Sequence, residues 1–456
     1  MSIPVIAIFD IGKTNKKLFL FDELYNIVYE KSIQFAEIVD EDGEACEDLQ
    51  VLTTWILDTF NEVSLLKNFA IKALNFSTYG ASFVHLDISG KPVAPLYNYL
   101  KAFPERLHRQ FYENYGAESK FSLETASPIL GNLNSGLQLY FIKYAKPALF
   151  KKIHSSLHLP QFISYLFTDK TYSELTSIGC HTALWNFTTH AYHGWVLKEE
   201  MNKQLPQIID SDSTLLVANE HLSYYCGVGL HDSSAALIPY LATFSEPFIL
   251  ISTGTWCITL NPFNDSPLTA TELAQDCLCY FSYKGKSVKA SRLFAGYEHE
   301  EQTKRLAAHF NVAEDYFKTV NYDDILYQLI LSNKKTTLEA SDHLLMSKSV
   351  FGKRALDLFT TYEEAYHQLI YDLVVQQIAS TRLVFNQDKV NNIYVDGGFS
   401  NNVVYMKMLA LAFPTVKVYA ATIAQASSIG AALAIHNSWN HTSLNQRMVE
   451  LKPFSS

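Results

Sequence analysis

The sequence predicts an α/β protein of two large domains, each built on a strand, a tight turn and a returning strand. Three observations support this. The chain has 456 residues, more than one hydrophobic core normally serves. The stretch VIAIFDIGKTNKKLFLFD near the start and EPFILISTGTWCITLNPF about half a chain later repeat one unusual hairpin. Each half also carries a strand that runs into a glycine loop, IKALNFSTYGASFVHLD in the first and NNIYVDGGFSNNVVYMKMLALAF in the second. We place the domains at 1–243 and 244–456, related in fold and facing each other across a cleft.

In the first hairpin, Ile6 to Phe9 reads as a buried strand, and Lys17-Leu18-Phe19-Leu20-Phe21-Asp22 as its return. A third strand in NIVYEKSIQF completes a meander. The turn contains Gly12-Lys13-Thr14, the ending of a P-loop. A P-loop needs a second glycine five positions earlier and a helix immediately after. Position 7 is Ala7, and the residues after the turn have the pattern of a strand. This leaves the carboxylate of Asp10 at a strand end, with a glycine, a hydroxyl and three lysines after it. Such a turn can direct N–H groups and Thr14 at phosphate oxygens while Asp10 holds a hydrated Mg²⁺. An ordinary hairpin with solvated Asp10 and lysines is the other reading.

The second hairpin runs from a buried strand (Phe248 to Ile251) through Ser252-Thr253-Gly254-Thr255 to a returning strand (Trp256 to Leu260). Ser252 occupies the acidic position, so one metal site with two phosphate-gripping turns is the economical reading. Farther on, Ala355 to Phe385 is a long helix candidate, and QASSIGAALAIH is a small-faced one. Between them, Gly397-Gly398 lets a flat ligand approach the backbone, or simply turns a strand into a helix. In YYCGVGLHDSSAALIPYL a short strand ends at Gly229, and Asp232 stands where a helix should begin. Asp232 is therefore either a helix N-cap or, at the mouth of the cleft, a functional carboxylate. His231 beside it is either packed or part of that site.

Composition narrows the class. With 48% hydrophobic and 18% charged residues the chain is globular. Its net charge of −10 argues against a nucleic-acid or anionic-membrane surface. Six scattered cysteines suit free thiols in a reducing compartment, and the Cys277/Cys279 pair lacks the partners that a zinc site needs. No signal peptide or membrane span is visible, so a cytoplasmic protein is expected.

Taken in order from about residue 4 to residue 436, these motifs resemble the FGGY carbohydrate kinases of the actin-like ATPase superfold. That resemblance implies two ribonuclease-H-like domains facing across an active-site cleft. Asp10 to Lys17 resembles the first phosphate loop, Ser252 to Trp256 the second, and Asp396-Gly397-Gly398-Phe399-Ser400-Asn401 the adenosine loop. Ser77-Thr78-Tyr79-Gly80-Ala81-Ser82-Phe83, Asn134 to Leu139 and His231 to Ala235 are similar to segments of L-rhamnulokinase-like members. The resemblance implies ATP and Mg²⁺ as cofactors, a small sugar as partner with neither nucleic acid nor membrane, and room for a homodimer. It implies Asp232 as the base that takes the sugar hydroxyl's proton and Asp10 as the residue that positions metal and phosphate. Gly12, Lys13, Thr14, Lys17, Thr253, Gly254, Thr255, Gly397, Gly398 and Asn401 would face nucleotide, and Tyr79, Gly80, Ser82, Phe83 and His231 the sugar.

The departures from the pattern bear on the sugar. The rhamnulokinase pattern has Trp and Asp where this chain has Tyr79 and Ser82, and a lost charged acceptor near 1 kcal/mol would shift substrate choice roughly five- to tenfold. Lys13 replaces a small hydroxyl residue, Lys17 a common Arg, and Gln425 a frequent Glu. The expected activity is ATP-dependent phosphorylation of a primary hydroxyl on a ketose, with rhamnulose- or fuculose-type deoxyketohexoses first. Xylulose, ribulose or glycerol kinases, and a non-catalytic sugar- or nucleotide-sensing homologue, are the alternatives. For this chemistry Asp232 is expected to need no unusual pKa.

Overall fold

The computed structural model describes residues 2–220, 222–332, 350–385, 390–444 and 448–455. The chain forms two compact units. The first comprises Met1–Thr243, Cys279–Ser287 and Gln425–Gln446, and the second Phe244–Leu278, Val288–Ala424 and Arg447–Ser456.

In the first unit, β1 (Ile3–Ile11), β2 (Lys16–Asp22) and β3 (Ile27–Ile33) form the expected antiparallel meander. On its other side β1 pairs in parallel with β4 (Phe69–Thr78). β5 (Thr214–Ala218) and β6 (Ser223–Gly227) complete the order β5-β6-β4-β1-β2-β3, and the short β7 (Leu230–His231) also pairs with β4. β1 reads as a continuous apolar run because both of its faces are covered. On one face Phe9 and Ile11 pack with Leu52, Ile56 and Phe60 of the helix Leu49–Ser64. Asp48 caps that helix by accepting from the N–H groups of Gln50 and Val51, at 3.0 Å each.

The helix Ala426–Ala434 also packs within this unit, against the helix Asp232–Thr243. The small residues allow it, since a Cβ on Gly430 would fall 1.8 Å from the Ala235 carbonyl oxygen. Buried Asn75 of β4 joins the elements, donating to the Ala431 carbonyl (2.8 Å) and accepting from Gly229 N–H (3.1 Å). β7 is thereby held alongside Ser77 and Thr78, so β1 and β7 end at the same edge of the sheet, on either side of β4. Ligands of α/β sheets gather at such carboxyl ends.

The second unit repeats the device. β8 (Phe248–Thr253) pairs antiparallel with β9 (Cys257–Asn261) and in parallel with β11 (Asn392–Gly397). The strand order runs from β10 (Ser287–Leu293) as β10-β9-β8-β11-β12-β13, with β12 Lys417–Thr422 and β13 Glu450–Phe454. The long helix is Tyr362–Val384, seven residues shorter at its start than the sequence suggests. Thr361 stops it there, its hydroxyl accepting from Glu364 N–H at 3.2 Å, while Leu356–Leu358 form a separate 3-10 turn. Val403–Ala412 follows the glycine loop as a helix capped by Asn402; the sequence there reads as an amphipathic helix, but none of its residues is exposed and it is covered all round.

Candidate active site

Asp10 lies near the end of β1, opposite Lys17 of β2 and Ser77 of β4. Its Oδ2 accepts from the hydroxyls of Ser427 and Ser428, each at 2.7 Å, on the first turn of the helix Ala426–Ala434. Burial raises the Asp10 pKa; the two serine hydroxyls and Lys17 oppose the rise, and the charge of Asp232 adds to it. The turn itself is closed by Gly12 N–H donating to the Asn15 carbonyl at 2.9 Å. Thr14 is exposed at its tip. Lys13 is engaged by Glu37 at 2.7 Å, and Lys17 reaches Gln425 Oε1 at 3.5 Å and Glu30 at 3.9 Å.

Asp232 immediately follows β7 as the first residue of its helix. An N-cap carboxylate accepts from the N–H groups two and three residues on. Here Oδ1 accepts from Ser233 N–H, the very next residue, at 2.6 Å, and from the Ser233 hydroxyl at 3.3 Å. His231 Nε2 lies 3.1 Å from the same oxygen. The geometry is therefore not that of a cap, and Oδ1 takes these contacts while over a third of the side chain stays open (36%). Its pKa is pushed up to about 6 by burial, against the Ser233 hydrogen bonds. This corrects the expectation of an unperturbed carboxylate, although an acid titrating near 6 is still mostly ionised at pH 7.

His231 is buried and neutral, its pKa lowered to about 3 by desolvation. Its backbone N–H donates to the Thr176 hydroxyl at 3.0 Å. That segment is shaped by the buried Glu174, whose carboxylate accepts from the N–H groups of Thr176 (2.7 Å) and Ser177 (2.6 Å). Cys180 Sγ lies 3.0 Å from His231 Nε2. Gly80 is required at this spot, since a Cβ there would meet Cys180 Sγ at 2.5 Å and the His231 ring at 2.7 Å.

Tyr79, Gly80, Ser82 and His231 line one small cavity with His158, Leu159, Pro160 and Ser177. Its volume of about 10 Å³ gives room for about one water molecule. Ser82, Ser177, His158 and His231 each carry a buried polar atom without a protein hydrogen-bond partner. Phe83 is buried behind this wall, stacked on His158 at 4.1 Å between ring centroids. The Asn134 motif holds the segment from the side: Gln138 donates to the Ala81 carbonyl at 3.1 Å, and Asn134 to the His181 carbonyl at 2.7 Å.

In the second unit a cavity of about 630 Å³ is lined by Thr253, Gly254, Gly296, Gly398 and Asn401 among others. Its lining also includes the aromatic and polar residues His299, Phe317, Tyr366, Phe399, Asn321 and Asn402. The size and the few convergent polar groups suit a nucleoside. Tyr366 is fixed by Asn402 Nδ2 (2.8 Å) and His299 Nε2 (3.0 Å). The Thr253 hydroxyl donates to the Asp396 carbonyl (2.5 Å) and accepts from Phe399 N–H (3.0 Å), locking the two loops together. Gly397 has φ +85° and a Cβ there would meet the Thr253 carbonyl at 2.0 Å, whereas a Cβ on Gly398 meets nothing within 4 Å. Gly397 therefore shapes the loop and Gly398 leaves space at the wall. Thr255 stands beside the cavity, its carbonyl accepting from Tyr297 N–H at 3.1 Å.

Among the described residues no group of three or more His, Cys, Asp or Glu could hold a metal. All six cysteines are buried and free of disulfides. No helix among the described residues is long and apolar enough to cross a membrane.

Sequence reasoning missed Lys16, Glu47, Ser427, Ser428, His299 and Tyr366. The two serines stood in a segment noted only for its small face. His299 and Tyr366 lie on helices, Ala295–Phe310 and Tyr362–Val384, whose pattern reads as packing.

Residues 5–238 match the family model described as FGGY family of carbohydrate kinases, N-terminal domain, and residues 245–443 that described as carbohydrate kinase FGGY, C-terminal domain. A rhamnulokinase of Halalkalibacterium halodurans is 26% identical over 169 residues, a match spanning 37% of this chain and 33% of that enzyme. Among solved structures, a carbohydrate kinase from Novosphingobium aromaticivorans superposes with a TM-score of 0.80 at 21% identity, covering 100% of this chain and 95% of that one. A ligand-bound xylulose kinase from Lactobacillus acidophilus gives 0.79 at 15% identity, covering 99% and 94%. Plasmodium falciparum glycerol kinase with ADP gives 0.74 at 17%, covering 96% and 90%. These likenesses establish the two-domain actin-like ATPase fold. With both halves matched in order, the chain belongs to the FGGY family of carbohydrate kinases.

Proposed function

We propose that this protein is a cytoplasmic, ATP-dependent kinase of a neutral ketose, with deoxyketohexoses such as L-rhamnulose or L-fuculose first. The observation that carries the reading is Asp232, a carboxylate that is not a cap, raised to about 6, and held through one oxygen at a strand end beside that of Asp10. In this reading Asp232 orients the sugar hydroxyl and accepts its proton as that oxygen bonds to the γ-phosphorus and the bond to ADP breaks. The His231 contact fixes the carboxylate's direction. Thr14 and Lys17 supply donors to phosphate from the turn that Gly12 closes, and Thr253, Gly254, Gly398 and Asn401 line the nucleoside cavity.

Mg²⁺ fits the residues present. It is bound by one or two carboxylates together with waters and substrate phosphates. Asp10 offers one such carboxylate, with Oδ2 taken by the serine hydroxyls. When bound, the ion would neutralise charge on the phosphates.

The sugar wall supports a neutral substrate. Its histidines, His158 and His231, are both pushed to about pKa 3 by burial and carry no charge. Among the residues lining that one-water cavity there is no Lys or Arg to pair with a sugar carboxylate. The test is coupled ADP release with MgATP across L-rhamnulose, L-fuculose, L-ribulose, D-xylulose, D-ribulose and glycerol. One sugar raising turnover well above the rest supports the kinase. Binding of ATP and sugar by calorimetry with no ADP formed from any of them would favour a sensing homologue instead.

A further inference from the structure

Lys16 is almost fully buried, at 2% exposure, although lysines are seldom found inside unless paired. Its Nζ donates to the Lys13 carbonyl at 2.9 Å, inside the phosphate turn, and lies 2.5 Å from Glu47 Oε1. The other oxygen of Glu47 accepts from the Tyr79 hydroxyl at 2.7 Å. Glu47 and Tyr79 are themselves 4% and 8% exposed. A continuous chain of polar contacts thus runs from the Gly12–Asn15 turn to the segment that carries Gly80 and Ser82. A second contact runs alongside it, with Lys13 Nζ over the Tyr79 ring at 6.0 Å.

A buried ion pair of this kind seldom adds net stability over apolar residues of the same size. Its consequence is geometric, because three groups in separate parts of the sequence must keep one arrangement to remain satisfied. The Tyr79 hydroxyl is consumed by Glu47, so Tyr79 offers the substrate its ring face rather than a hydrogen bond.

We propose that Lys16 and Glu47 are positioning residues that hold the phosphate turn and the Tyr79 sugar wall at one fixed spacing. The inference rests on the kinase reading only for what the spacing serves; the mechanical link is tested without turnover.

The experiment is hydrogen exchange by mass spectrometry on peptides spanning the turn, in the parent, in Tyr79→Phe and in the paired change Lys16→Met/Glu47→Leu, which removes both charges together. Tyr79→Phe is distant in sequence from the turn and removes one hydroxyl. It is expected to speed exchange of the turn amides several-fold and to weaken MgADP binding in calorimetry about fivefold, with the melting temperature little changed. If the panel sugar that is turned over best shows raised KM for both sugar and ATP in Tyr79→Phe with kcat within about twofold, the link serves positioning. Unchanged turn exchange and unchanged MgADP affinity in both variants would overturn the proposal, whatever the outcome with sugars. Failure of every sugar to stimulate ADP release, with the exchange result intact, would remove the kinase reading and leave the link standing.

Discussion

The hairpins at 3–22 and 248–261 share a strand, a turn and a return, yet they place acid and hydroxyl on opposite strands. In the first, Asp10 stands on the hairpin and Ser77 beside it on the parallel neighbour; in the second, Ser252 stands on the hairpin and Asp396 on the neighbour. The carboxylates are used differently. Asp10 is gripped through Oδ2 by Ser427 and Ser428 from a helix N-terminus, whereas Asp396 Oδ1 accepts from its own neighbour, Gly397 N–H, at 2.7 Å. One copy of the hairpin presents charge, and the other spends its carboxylate shaping a glycine loop. Under the proposed function, one backbone device serves ion handling in one half and shape recognition in the other, the acid and the hydroxyl having changed places between the paired strands.

The largest expected effect lies on the charged side. Asp232→Asn should fold and lose about 10²- to 10⁴-fold in kcat, measured by ADP release with the best panel sugar. Its melting curve separates this from a structural role. Because the folded-state pKa lies above the ordinary 3.8, the stability associated with this group is complete below 3.8 and is lost as pH rises through about 6. The variant should therefore melt no lower than the parent at pH 8, and the difference should vanish toward pH 4. A lower melting temperature at pH 8 would restore the helix-cap reading.

Next comes the contrast between the two acids. Asp10→Asn removes the charge from the position proposed to hold the metal and should lower kcat about 10²-fold and raise the Mg²⁺ requirement. Asp396→Asn keeps an acceptor for Gly397 N–H, so its kcat should stay within about threefold. Equal losses would erase the distinction between the hairpins.

The pH profile gives a smaller, graded effect. In the proposed mechanism Asp232 acts in its ionised form, so sugar kcat/KM should fall about tenfold per unit below pH 6 and level off above pH 7. The groups facing it are the neutral His231, Asp10 and Tyr99, whose phenol is raised by burial. A limb centred near pH 4 would mean the carboxylate is solvated in the free enzyme.

How much of this was legible in the sequence depends on range. The hairpins were legible because a strand, a glycine turn and a return are local patterns. The small-faced helix was legible from composition, but its serines were not assigned to Asp10, a partner 417 or 418 residues away. Lys16 and Lys17 are indistinguishable by type, and both faces of β2 are covered at Leu18 to Phe21, so alternation could not tell which lysine goes inward. Glu47, which decides it, comes just after a two-residue strand in a stretch with no periodic signal. The helix start at Tyr362 was misplaced because the apolar residues of 355–361 continue the helical period, while Thr361 as a cap gives only a single-residue signal.

The adjacent glycines sharpen the comparison from the shape-reading side. Gly397 combines φ +85° with a missing side chain against the Thr253 carbonyl, so Gly397→Ala carries both backbone strain and a clash at 2.0 Å. Strain of this kind costs about 1–3 kcal/mol, and the clash adds to it. The Thr253 hydroxyl bonds to Asp396 and Phe399 would be displaced with it, so Gly397→Ala should lower the melting temperature and weaken MgADP binding together. Gly398→Ala places its methyl in open space at the cavity wall, so the melting temperature should hold while MgADP affinity alone falls. If both variants bind MgADP like the parent in calorimetry, the 630 Å³ cavity is not where the nucleoside sits, and the second hairpin loses its assigned role.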